Sequence, residues 1–181
     1  MRLIFLHGPP ASGKYTIAKA LESVRGLRNF HNHLTLDVSR AIFDFGTEQF
    51  WALTHELRLA SLRAIAQEDE AIVVFTNCYS HPEDAHKVAA IRDVVEEVGG
   101  DFLPVYLECA MSELERRVTD PGRVGMKKIH TVEGLDGFLA QWNCVALPDA
   151  DCVTIHTGER TPEDCAAELV TRLGLPTIPT E

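Results

Sequence analysis

Gly8, Gly13 and Lys14 stand in the order G-x-x-x-x-G-K within the stretch GPPASGKYT, residues 8–16. That spacing suits the holding of a polyphosphate. Glycines let the backbone curl until successive N–H groups point into one concavity, and a helix opening at the lysine adds its positive end. Lys14 would then reach the outer phosphates as a mobile point charge. Gly8, Ala11, Ser12, Gly13, Lys14, Tyr15 and Thr16 form the candidate phosphate-binding set.

Two positions depart from the usual chemistry of such a loop. The residue after the lysine normally carries a hydroxyl that touches Mg²⁺, and here it is Tyr15, with Thr16 one step late. The strand Ala71–Phe75 runs into Thr76-Asn77, where an acid commonly holds the metal or its waters. An amide accepts a hydrogen bond from a metal-bound water but brings no negative charge, so weaker Mg²⁺ binding is expected.

A second cluster follows the next apolar stretch. His31, His33 and Asp37 lie on an expected strand-to-helix corner, where they could line a polar site for an acceptor. Two histidines lack a third clear metal ligand, so hydrogen bonding is the preferred reading. Asp37 admits two roles: a base that takes a proton from an acceptor hydroxyl, or a first-turn acid that favours the helix dipole. His33, Asp37 and Asn77 are the expected substrate-binding residues.

A third cluster is basic. Arg116, Arg117, Arg123, Lys127 and Lys128 are five of the 17 Lys and Arg residues of the chain. Asp120-Pro121-Gly122 and Gly125 give this stretch turn chemistry and hinge points. Alone it would read as a solvated charge run. Behind a phosphate cradle it reads as a lid whose arginines neutralise charge on phosphate oxygens while closure excludes water.

These clusters need elements to position them. Arg2–His7 is a buried strand before the cradle, and Ile17, Ala20, Leu21 and Val24 give the helix after it an apolar stripe. Leu27–His31 is a second strand. Helices are expected around Val38–Phe45 and over Thr47–Gln67, the latter with Phe50, Leu53, Leu57, Ala60 and Ala64 inward and with Trp51 and Arg58 near the stripe. Ser80 to Glu83 reads as a capping box with Pro82 in the opening turn, followed by Ala85, Val88, Ile91, Val95 and Val98 as a buried face.

Phe102–Leu107 is a fourth strand, whose Pro104 argues for an edge or bulge near its start. Ser112 to Glu115 caps a short helix, and Leu135, Phe138, Leu139 and Trp142 mark the helix after the lid. Asp151–His156 is a fifth strand. Thr161-Pro162-Glu163-Asp164 caps a last helix with Ala166, Leu169, Val170 and Leu173 inward, and the tail with Pro176 and Pro179 is expected to be extended.

Composition narrows the classes of function. A length of 181 residues suits one domain, 1–181, with a helical insertion over about 34–67 and the lid over about 116–131. The formal net charge of −10 disfavours nucleic acid, and no apolar run is long enough to span a bilayer. A cytoplasmic location is expected, since no signal peptide precedes the first strand. The five cysteines are odd in number and lack C-x-x-C spacing, which argues against zinc or a disulfide framework and for buried thiols. No feature of the sequence sets an oligomeric state.

Five strands alternating with helices, a P-loop on the first and an Arg-rich loop after the fourth resemble the nucleoside-monophosphate, shikimate and gluconate kinase superfamily. Within it, G-K-x-T resembles the adenylate-kinase branch, where the metal is held largely through water. GPPASGKYT with Phe30-His31-Asn32-His33 also looks like small bacterial proteins labelled as ATPases or kinases. The resemblance implies an α/β three-layer fold with a parallel five-stranded sheet in the order 2-3-1-4-5. It implies ATP and Mg²⁺ as cofactors, with Thr16 on the metal through water and Arg116 or Arg117 beside the adenine, opposite the loop Thr157–Arg160. Lys14, Arg117, Arg123 and Asp37 become the expected catalytic set. The activity implied is transfer of a phosphoryl group from ATP to a small hydroxyl or phosphate acceptor. A nucleotide-binding switch or slow hydrolase without a diffusible acceptor is the alternative.

Overall fold

A computed structural model describes residues 1–21, 24–68, 70–126 and 128–177; Lys127 of the basic stretch and Pro179 of the tail lie outside them. Its strands are β1 (Arg2–His7), β2 (Leu27–His31), β3 (Ile72–Asn77), β4 (Asp101–Glu108) and β5 (Val153–His156). Its helices are α1 (Lys14–Ala20), α2 (His33–Arg40), α3 (Glu48–Ile65), α4 (Ala85–Glu96), α5 (Met111–Val118), α6 (Val132–Gln141) and α7 (Pro162–Leu173). The strands form one parallel sheet in the order β2-β3-β1-β4-β5, as the resemblance implies.

Central strands covered on both faces should read as unbroken apolar runs, and β1 and β3 do. Alternate residues divide between two cores. Ile4, Leu6, Val74, Val105, Leu107 and Ile155 pack on Ile17 and Ala18 of α1, on Leu21 just past its end, and on Cys165, Ala166 and Leu169 of α7. Leu3, Phe5, Val73, Phe75 and Phe102 face Leu62 of α3 and Val88, Ile91, Val94 and Val95 of α4. Arg2, at the start of β1, clamps the end of α7 by donating to the carbonyls of Leu173 at 2.6 Å and Gly174 at 3.1 Å.

Pro104 pairs with Phe5 on one side, and β5 begins its pairing only at Val105, so the missing N–H breaks no ladder there. Thr47, Thr131 and Thr161 cap α3, α6 and α7 by accepting from the N–H three residues on.

Several expectations need correction. The helix placed at Val38–Phe45 is α2, His33–Arg40, so it opens directly at the strand end. The inward column of α3 is Phe50, Thr54, Arg58 and Leu62, while Ala60 and Ala64 are exposed. Spacing by four residues brings a threonine and an arginine inside, a choice that apolar counting passes over. Ser80 and Glu83 do pair, at 2.8 Å, but within a turn, because α4 starts at Ala85 and leaves Val98 exposed beyond its end. Ser112 lies inside α5, whose N-cap is Ala110. The lid stretch contains a 3-10 segment, Pro121–Met126, after a turn in which Asp120 accepts from the Gly122 N–H. Of the cysteines only Cys165 is fully buried. Among the described residues no helix is long and apolar enough to cross a membrane.

Candidate active site

Register fixes the site. His7, Asn77 and Tyr106 stand level at the carboxyl ends of β1, β3 and β4, with His31 beside Thr76, so everything that follows these strands opens on one rim. Gly8 takes up the first turn at φ +151°, and a Cβ there would come within 2.8 Å of the Leu107 carbonyl oxygen. Ala11 at φ 66° and Gly13 at φ +96° add left-handed residues, which turn N–H groups inward. The Ser12 hydroxyl is fully buried with no partner among the described residues. An orphaned hydroxyl inside a curled loop fits an incoming phosphate oxygen. Lys14 reaches back over the loop, its ammonium donating to the carbonyls of Gly8 at 2.8 Å and Pro9 at 2.7 Å.

Gly8→Ala therefore sets a side chain against backbone. Chemical denaturation should show a loss of about 2 kcal/mol, with nucleotide-induced stabilisation lost as well. Unchanged unfolding would mean that the loop shifts freely, which its packing on β4 argues against.

The basic residues divide into two groups. Arg116 is exposed and paired with Glu113 at 2.6 Å. Arg117 bridges α5 to the loop after β5, donating to the carbonyls of Thr157 at 2.5 Å and Gly158 at 2.8 Å, beside Gly13. It braces the loop expected to border the base. A hollow of about 480 Å³ opens next to it, lined by Glu108, Cys109, Ala110, His156 and Gly158. Arg123 and Lys128 belong to the lid stretch. Arg123 is half-buried, its Nε donating to the Ile129 carbonyl at 2.8 Å. Lys128 lies with its ammonium 4.7 Å from the centre of the Tyr15 ring.

Across the cradle, Asn77 accepts from the Asn32 amide at 3.4 Å, tying β3 to the start of α2. Tyr15 meets His31 edge-on at 5.2 Å, and His31 and His33 lie 6.4 Å apart, ring centre to ring centre. Burial, with Lys128 adding to it, holds His33 down to about 4. Asp37 is 60% exposed and takes a hydrogen bond from Arg40 at 3.1 Å, so its carboxylate is turned to a cation on its own helix.

Arg58 is the residue that sequence reading leaves unassigned. It is 6% exposed, its Nε has no partner among the described residues, and its guanidinium sits 5.7 Å from the Phe75 ring. Burial pulls its pKa down to about 10, with Asp84 and Cys78 opposing, and it stays charged at neutral pH. The available signal was its place in the column Phe50, Thr54, Leu62, where an arginine is unexpected.

The donor set does not fit direct ligation of Mg²⁺. Thr16 is exposed and its hydroxyl donates to the Gly13 carbonyl at 2.8 Å. Tyr15 and Asn77 stand where a small hydroxyl and an acid serve elsewhere. Among the described residues no three His, Cys, Asp or Glu side chains come together as a metal site.

His7 carries a pH dependence. It is fully buried at the end of β1, and burial, then Lys14, lowers it from the ordinary 6.5 to about 3. The unfolded chain takes up protons near 6.5 at His7 and His33, and the folded chain not until about 3 and 4. Over that window the unfolded state binds more protons, so stability is full above 6.5 and lost as pH falls toward 4. Thermal melts across this range should show the decline, and His7→Phe should flatten it; an equal slope in the variant would assign the effect to other groups.

The sheet order, the cradle on β1 and the helices on both faces are those of the P-loop kinase fold. No protein-family model matches the sequence, and no curated protein matches it. Solved structures do. A sugar kinase from Janibacter sp. HTCC2649 is similar with TM-score 0.66 and 18% identity, over 97% of this chain and 95% of that one. The Mycobacterium tuberculosis APS kinase CysC, in complex with AMPPNP and APS, gives TM-score 0.61 and 19% identity over 96% and 97%. Shikimate kinase from Acinetobacter baumannii, in complex with shikimate, gives 0.56 and 17% over 94% and 92%. These are P-loop kinases with small-molecule acceptors, and this chain shares their fold.

Proposed function

We propose that the protein is an ATP-dependent phosphotransferase acting on a small molecule with a hydroxyl or phosphate acceptor. One observation carries the reading: a phosphate cradle with Lys14 across its mouth opens on the same rim as the lid cations Arg123 and Lys128 and the Asn32, His33 and Asn77 wall. Chemistry of this type asks little of the protein beyond position and charge. Lys14 leaves its loop carbonyls for the outer phosphates. Arg123 meets the charge that develops on the transferring group, and the lid, about 116–131, excludes water. Arg116 and Arg117 border the base. The α2–α3 insertion, about 34–67, covers the acceptor, which His33 and Asn77 contact and whose hydroxyl proton passes to Asp37 once its bond to Arg40 opens. Arg58 supplies a cation beneath this region and favours acceptors that bear a carboxylate or phosphate.

A second reading, a nucleotide switch or slow hydrolase, draws support from Asp37, whose carboxylate is exposed and held by Arg40. Thermal-shift measurements with ATP and GTP, followed by turnover across nucleosides, nucleotides, sugars and acidic alcohols, separate the two. ADP release that requires an acceptor is the expected result. Binding without acceptor-dependent turnover favours the switch, and no binding of either nucleotide overturns both.

A further inference from the structure

How the cradle meets the charge of a polyphosphate follows from which groups surround it, and the inference rests on the nucleotide reading above. The oxygens beside the cradle and its rim bring a metal no unpaired negative charge: Thr16 and Asn77 are neutral, and Asp37 and Asp84 are each paired with a cation. Thr16 is bonded to the Gly13 carbonyl and Asn77 to Asn32. Asp37 is paired with Arg40, and Asp84 accepts from Lys87 at 2.8 Å and from the Ser80 N–H at 3.1 Å.

The cations are not matched in this way. Lys128 is half-buried, and no carboxylate within salt-bridge distance of it lies among the described residues; its seat is the face of the Tyr15 ring. The aromatic face attracts an ammonium group without neutralising it. Tyr15 itself packs edge-on against His31. Lys14 and Arg123 lie close enough to Lys128 that, after burial, they lower its pKa further. Three like charges therefore share one partly buried space in a chain whose formal net charge is −10. Such an arrangement favours a highly charged anion among them.

We propose that Lys128, seated on Tyr15, takes the place of a divalent cation at the cradle, so that the protein binds a nucleoside triphosphate without metal. Tyr15, immediately after Lys14, is then the specific adaptation: it excludes the usual metal-bearing hydroxyl and holds a protein cation over the cradle.

Calorimetric titration of ATP into the full chain, once with EDTA and once with excess Mg²⁺, tests this. The two affinities should agree within about fivefold. Lys128→Gln should weaken metal-free binding about tenfold, near 1.4 kcal/mol, and Mg²⁺ should restore part of the loss. Tyr15→Leu should behave like Lys128→Gln, and Tyr15→Phe, which keeps the aromatic face, should lose less metal-free affinity than Tyr15→Leu. Metal-free binding weaker by more than about fivefold in the parent overturns the proposal, as does a Lys128→Gln protein that binds metal-free ATP unchanged. Absence of binding in both buffers overturns the nucleotide reading itself, and this inference with it.

Discussion

Lys14→Ala should lower ATP affinity about a thousandfold, whereas Arg123→Ala should leave affinity within about threefold and lower turnover about a thousandfold. The contrast follows from where each cation sits. The Lys14 ammonium already lies over the loop, 2.8 Å from the Gly8 carbonyl oxygen and 2.7 Å from that of Pro9. Exchanging two neutral acceptors for charged phosphate oxygens strengthens its bonds as soon as nucleotide arrives, before any reaction. Arg123 approaches from the lid, anchored by Nε to Ile129, and its charge counts most when phosphate oxygens gain charge during transfer. Calorimetry and steady-state kinetics on both variants decide the matter. Equal losses of affinity would contradict a role for Arg123 confined to the transition state.

Arg58→Met should stabilise the protein and disable it. The guanidinium is 6% exposed, and its Nε has no partner among the described residues, so its burial is costly and an unbranched apolar side chain of similar length fills the space better. A gain of about 1–3 kcal/mol is expected, which raises the melting temperature by about 2–4 °C per kcal/mol in a chain of this size. With an acidic acceptor, KM should rise about a hundredfold while ATP affinity is unchanged. Arg58→Lys keeps the charge and should recover part of the KM effect but little of the stability. A destabilised Arg58→Met protein with normal KM would make the residue a packing element.

Local features were legible in the sequence and meetings between distant ones were not. The turn between β1 and α1 stands out because glycines lie at fixed offsets between an apolar strand and an amphipathic helix; β1 and β3 followed from apolar runs, and the sheet order from the resemblance those motifs carry. The inward face of α3 was not legible: Leu53 and Leu57 outweigh Thr54 and Arg58 in any apolar count, yet the latter pair is buried. Asp37 was open to two roles, a base or a first-turn acid; in the fold it lies a full turn inside α2, where Arg40, three residues on, holds its carboxylate. Tyr15 was visible as an oddity. That Lys128 lies over its ring depends on a stretch more than a hundred residues away returning to the start of α1, which no local pattern records.

The clamp between Arg2 and the end of α7 bears on how the loop after β1 is held. The helix that follows the cradle packs on α7, and the first strand is latched to the carbonyls of Leu173 and Gly174. The loop between β1 and α1 thus depends for its backing on a helix far along the chain, so both partners of that contact must be in place before the loop is held. A ligand that binds only the folded loop should therefore steady the α7 contact as well.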